Sequence, residues 1–164
     1  AYQKQYGIKC LSLIPTNIYG PNDNFNLKDA HVIPALIHRC YNAVKENTPF
    51  VVWGSGKPLR EFIFSEDIGK IVNLLTSNYE GDDSVIISTG QEHTIREVAE
   101  VIASCFNYQE NLVFDESKPD GQYRKHTNPE TLKSLYPDFK YTTLKEGIQK
   151  SIDWFIENYE NCRK

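Results

Sequence analysis

Apolar positions along this chain switch between two spacings. The run IKCLSLI at 8–14 is short, apolar and rich in β-formers, and it predicts a buried strand. In HVIPALIHRCYNAVKEN, the residues Val32, Ile33, Leu36, Ile37, Cys40 and Val44 recur at helical spacing, with Pro34 tolerable only near the first turn. FVVW and LREFIF predict strands on either side of GSGKP, whose plainest reading is a hairpin turn. SVIIST and NLVF predict two more strands. Three further helices carry start signals: Ser65 ahead of Glu66 and Asp67, and the capping boxes Thr94 with Glu97 and Thr143 with Glu146. Asn128-Pro129 opens a short helix in the cap-then-proline manner, and AYQKQYG reads as the end of a helix stopped at Gly7.

Strands and helices alternate over 164 residues without a repeat or low-complexity tract, which predicts an α/β fold with a real core. Two polar loops interrupt the alternation. One follows the first strand, PTNIYGPNDNF, and the other is DESKPDGQYRKHTN. Ordered loops this long are often functional. The net charge of -4 argues against general nucleic-acid binding. No apolar run approaches the ~18 residues of a membrane span, and the start carries no secretory signal. Cys10, Cys40, Cys105 and Cys162 are scattered without CxxC spacing, which predicts reduced thiols in a cytoplasmic protein. The chain holds no Met and opens mid-helix, so a piece of a longer protein is expected.

Candidate chemistry sits in and around the loops. GSGKP has two glycines but neither a third glycine nor a following helix, so it is neither a dinucleotide fingerprint nor a Walker loop. Trp53 and Arg60 flank it, and an aromatic plane beside a guanidinium suits a nucleotide diphosphate or a surface cation–π pair. His31 and His38 lie seven apart, about 10 Å along a helix, too far to share a metal. No metal site is expected. His31 reads either as a helix-start histidine bonded to a loop carbonyl or as a general acid/base. Arg39 reads as an exposed cation or a phosphate ligand. The loop DESKPDGQYRK is a solvated turn with Asp120-Gly121 at its tip, or a lid whose cations meet phosphate.

PTNIYGPNDNF, HVIPALIHR, VWGSGKPLREFIFSEDI and FDESKPDGQYRK, in that order, resemble the C-terminal half of the GDP-L-fucose synthases, a family of extended short-chain dehydrogenase/reductases. The resemblance covers essentially the whole chain. It implies that residues 1–20 end an NADP-binding Rossmann half with one strand of its sheet, and that residues 21–164 form the GDP-sugar domain. It implies that Pro15, Thr16, Asn17 and Ile18 meet the nicotinamide side of NADP(H), and that His31 is the acid/base histidine beside the cofactor. Arg39, Trp53, Arg60 and Asp120 match positions that contact the GDP-sugar, and Lys125 matches a cation of the same lid. The implied reaction epimerises GDP-4-keto-6-deoxymannose at C3 and C5 and reduces C4 with NADPH to GDP-L-fucose. Family members place a YxxxK motif and a reactive Cys upstream. No YxxxK occurs here, and none of the four cysteines occupies a matching motif. The chain alone is therefore expected to be inactive, and the whole protein to be a homodimer. Another nucleotide-sugar epimerase or dehydratase, or a non-catalytic nucleotide-sugar binder, is the alternative.

Overall fold

The computed structural model describes residues 2–81 and 83–164. Ala1, which begins the expected opening helix, lies outside them. Helix α1 (Tyr2–Tyr6) stops at Gly7, whose φ of +66° is a left-handed turn that glycine adopts without a Cβ penalty.

The expected strand at 8–14 shrinks to β1 (Leu13–Pro15). Its partner sets the length: β1 pairs in parallel with β5 (Val85–Ile87), itself three residues long. Ile8 and Ile14 remain about half exposed, so the apolar run did not mean burial on both faces. One residue later the chain changes sheets. β2 (Asn17–Tyr19) pairs in parallel with β4 (Leu59–Phe64), which also pairs antiparallel with β6 (Glu92–Thr94). Thr16 is thus a crossing point between two sheets at the ends of parallel strands, where α/β folds open a crevice. The polar tripeptide of β6 has no alternation, and the sequence gives no sign of it as a strand.

The hairpin expected at GSGKP does not form. β3 (Phe50–Trp53) pairs in parallel with β7 (Leu112–Asp115), in a different sheet from β4. The turn instead joins two sheets. Gly54 has φ +85°, and a Cβ there would lie 2.4 Å from Asp120 Oδ1.

Helices α2 (Val32–Glu46), α4 (Ile95–Cys105) and α6 (Leu144–Glu157) pack one core around Phe25, Phe50, Ile37, Ile102 and Phe155, all nearly or fully buried. Helices α3 (Ser65–Asn78) and α5 (Glu130–Leu135) cover a second, smaller cluster with Ile71, Leu75, Ile87 and Leu132. Both predicted capping boxes form, at Thr94 and Thr143. Asn128 Oδ1 accepts from the Glu130 N–H at 3.1 Å, as its position before Pro129 predicts. Ser65 differs: it is the first residue of α3, and Phe64 holds the cap position without a side-chain bond.

The first polar loop is pinned at its middle. Phe25 is fully buried and stacks on Phe155 with ring centroids 4.5 Å apart. Its N–H donates to the Arg163 carbonyl at 2.8 Å, and its own carbonyl accepts from His38 Nδ1 at 2.8 Å. That is the role anticipated as one reading of His31, a histidine bonded to a loop carbonyl. His38 on the buried side of α2 takes it.

Candidate functional site

The sheet crossing builds one wall. Pro15 ends β1 and stays exposed. The Thr16 N–H donates to the Ile87 carbonyl at 3.0 Å, tying the crossing to β5. Asn17 Nδ2 donates to the Glu61 carbonyl at 2.7 Å, so its side chain is spent on locking β2 to β4. Thr16, Asn17 and Ile18 line a cavity of about 430 Å³ together with Asp23, His31 and Ser65. Thr16 Oγ1 is buried and finds no hydrogen-bond partner among the described residues. An orphaned hydroxyl on such a wall fits a bound group with a polar edge.

His31 stands at the N-cap position of α2 in extended conformation (φ −68°, ψ 170°). Its side chain does not cap the helix; the residue is exposed and lines the cavity. Asp23, half-buried on the same cavity, was not singled out from the sequence. Burial raises its carboxyl above the ordinary range, against the pull of the Asn24 N–H and of the His31 charge. Its place in PNDNF, between turn residues, reads as loop chemistry alone, so only the fold shows it near His31.

Arg60 links this wall to the next. It shares a narrow cleft with Asn17, Ile18 and His31, and a cavity of about 190 Å³ with Trp53 and Asp120. Its Nη1 donates to the Leu59 carbonyl at 2.7 Å, which holds the guanidinium back along β4. Trp53 is 58 % exposed, and Arg39 Cζ lies 4.4 Å from its ring centroid. Lys118 lies 5.9 Å from the same ring. Burial lowers the pKa of Arg39, yet a guanidinium remains a cation at neutral pH. Asp120 accepts from the Ser55 N–H at 2.8 Å and from Ser55 Oγ at 2.6 Å. These bonds hold its carboxyl below the ordinary range. The GSGKP turn is therefore a seat for Asp120, a role its glycines do not announce. Lys125 lies on the exposed run of the same loop, beside Arg124.

Among the described residues no group of three or more His, Cys, Asp or Glu side chains could hold a metal ion. All four cysteines are free, and burial pushes the Cys40 thiol up to about 12 and raises Cys105 as well. A reactive cysteine needs its thiolate, so these two are unsuited to catalysis. No helix among the described residues is long and apolar enough to cross a membrane.

The model of the NAD dependent epimerase/dehydratase family matches residues 1–90. The chain is 47% identical over 166 residues to a GDP-L-fucose synthase of Dictyostelium discoideum, covering 100% of this chain and 52% of that protein. A crystal structure of a GDP-L-fucose synthetase from Naegleria fowleri superposes with a TM-score of 0.92 at 42% identity, over 99% of this chain and 51% of that one. The same synthetase bound to NADP superposes with a TM-score of 0.90 at 43% identity, over 94% and 49%. The chain spans about half the length of the curated relatives it matches.

Proposed function

Because the chain belongs to the NAD dependent epimerase/dehydratase family, we propose that it forms the substrate-binding half of an NADP(H)-dependent GDP-L-fucose synthase. The whole enzyme would epimerise GDP-4-keto-6-deoxymannose at C3 and C5 and reduce its C4 ketone. One observation carries this reading: His31, Arg60, Trp53 and Asp120, far apart in sequence, line three neighbouring cavities that share walls, His31 between the first and second and Arg60 between the second and third.

The residue types suit the chemistry. A diphosphate presents two charges to forked donors, and Arg60 stands between the histidine and the aromatic ring. Trp53, with Arg39 on one face, offers a ring plane for a base. Asp120, fixed by Ser55, keeps free lone pairs for hydroxyl or N–H donors of the nucleotide. At the other end His31 meets the sugar. The C3 and C5 protons lie alpha to the C4 ketone and are acidified by it. Inversion needs a base on one face of the carbon and an acid on the other; His31 can serve as one of the two, with a partner group giving or taking the second proton across an enolate of the sugar. Thr16, Asn17 and Ile18 would hold the nicotinamide side of NADP(H), and the unpartnered Thr16 hydroxyl supports a polar contact there. When bound, that cofactor supplies the hydride for C4. Residues 1–20 then belong to the cofactor side and 21–164 to the substrate side. Four free thiols support a reducing, cytoplasmic setting, and the resemblance supports a homodimeric whole protein.

Nuclear magnetic resonance on the 164-residue chain tests the reading. Titration with GDP-L-fucose should shift the Trp53 indole N–H and the backbone signals around Arg60. Losing one charge-assisted contact typically costs roughly 1.5–3 kcal/mol, so Arg60→Ala should weaken that binding about 10- to 100-fold. The response to NADPH should be unchanged. No response to GDP-L-fucose, or an equal loss for both ligands, overturns it.

A further inference from the structure

Glu61 on β4 faces Glu92 on β6 in strand register. Two carboxylates directly opposite on paired strands repel each other. The fold keeps both, and it places one of them in the interior: the Glu61 residue is 1% exposed. A buried carboxylate persists only where donors and opposite charge meet it.

Those donors come largely from one segment. Thr127 gives Glu61 its N–H at 2.9 Å and its hydroxyl at 2.5 Å. His126 Nδ1 lies 3.0 Å from Glu61 and 3.8 Å from Glu92. Arg124 engages Glu92 through Nε at 2.8 Å and Nη2 at 2.5 Å. Among the described residues, only Ser88 Oγ, at 2.5 Å from Glu61, comes from elsewhere. These bonds hold both glutamates below the ordinary carboxylate range. The other charges nearby are Arg60, next to Glu61, and His93, opposite Arg60 in the register and 3.8 Å from Glu97.

The segment that supplies them is the loop carrying Asp120 and Lys125. Residues 116–126 are all exposed and, among the described residues, add to the sheets only the bridge between Leu59 and Arg124, where the Leu59 N–H donates to the Tyr123 carbonyl at 2.8 Å. Apolar burial cannot hold such a run in place. Its near end is tied by Asp120 to Ser55, and its far end by cations and hydroxyls laid on the two glutamates. Glu61 also reaches the opposite wall, since its carbonyl accepts from Asn17 Nδ2.

We propose that Glu61 and Glu92 are positioning residues, an in-register carboxylate pair that holds the loop at 116–127 over the diphosphate grip. The pair acts through Arg124, His126 and Thr127 and does not itself meet the nucleotide-sugar. This inference rests on the reading of the site as a GDP-sugar cleft.

The test uses the full-length enzyme. Arg124→Gln removes an exposed partner and Glu92→Gln a partly buried one that keeps its shape and one acceptor oxygen; both spare the buried Glu61, so folding should survive. Glu92→Arg combined with Arg124→Glu restores the pair with its signs exchanged. Each single variant should raise KM for the GDP-sugar roughly three- to tenfold, the scale of a partly exposed ion pair. The kcat and the KM for NADPH should stay within about twofold, and the exchanged pair should recover most of the lost affinity. A latch of merely structural worth would lower Tm and leave KM alone. Unchanged KM in both single variants, or no recovery in the exchanged pair, overturns the latch. Wild-type enzyme that fails to oxidise NADPH in the presence of the GDP-sugar overturns the underlying reading, and the latch with it.

Discussion

His31 and His38 lie on one helix and have opposite fates. His38 faces the core, bonds the Phe25 carbonyl and packs against Phe155 and Tyr159. His31 heads the same helix, exposed to a cavity. The chemistry of the two side chains is identical; seven residues of helix separate a loop anchor from a candidate acid/base. In the full-length enzyme, His31→Asn should lower turnover by roughly 10²–10⁴, the usual worth of an acid/base group. Deuterium uptake at C3 or C5 should fall with it, and wild-type uptake would sink the assignment. At Gly54 the backbone sets the limit. Its φ of +85° and the nearness of Asp120 leave no room for a methyl group. Gly54→Ala should therefore dislodge Asp120 from Ser55, read as a raised KM for GDP-sugar with an unaltered NADPH site; equal affinity in the variant would show that the turn has slack.

At the scale of elements, both polar loops are held by side chains, not by regular structure. The first hangs on Phe25. Large-to-small changes at buried aromatic residues cost about 3–5 kcal/mol, so Phe25→Ala should destabilise the chain by that order in urea unfolding. The loop from Asn22 to Ala30 should also gain hydrogen exchange, whereas unchanged protection would mean that the flanking elements suffice. The second loop hangs on carboxylates. Asp115, Asp120, Glu61 and Glu92 all have folded pKa values below the ordinary ones, held there chiefly by hydrogen bonds to Ser117, Ser55, Ser88 and Thr127, and Arg124 respectively. For a depressed carboxyl the stabilisation is complete above the ordinary pKa and is lost as pH falls through the folded one. The loop at 116–127 should therefore stay ordered at neutral pH and loosen below roughly pH 4. Hydrogen exchange of that segment across an acid titration checks this; protection that persists while the carboxyls protonate would contradict it.

For the whole molecule, the question is what this chain can do by itself. Hydride transfer needs cofactor and ketone held about 3–3.5 Å apart in an oriented pair. This chain offers the wall at Thr16, Asn17 and Ile18 but neither a YxxxK motif nor a dinucleotide glycine fingerprint. It should not consume NADPH with GDP-4-keto-6-deoxymannose above background, and steady substrate-dependent oxidation by the purified chain would refute the residue assignments. β1 has β5 as its parallel neighbour. Ile14 on β1 and Ile8 before it present apolar surface at a sheet that has two strands among the described residues, a known route to association.

Helices were legible because a helix is local: spacing marks its buried face, and the capping boxes at Thr94 and Thr143 mark its start within four residues. The α/β class followed from alternation, and the ordered motif blocks carried the family. Strand partners were not legible. Nothing within GSGKP says that its flanking strands join different sheets, and nothing in the apolar run at 8–14 says that its partner is three residues long. For the same reason Asp23 near His31, Ser55 under Asp120, and Glu61 facing Glu92 appear only in three dimensions. Helical hydrogen bonds join residues four apart, so short stretches of sequence determine them. Sheet pairing and the cleft join residues tens of positions apart, and only the packing of the whole chain decides which of them meet.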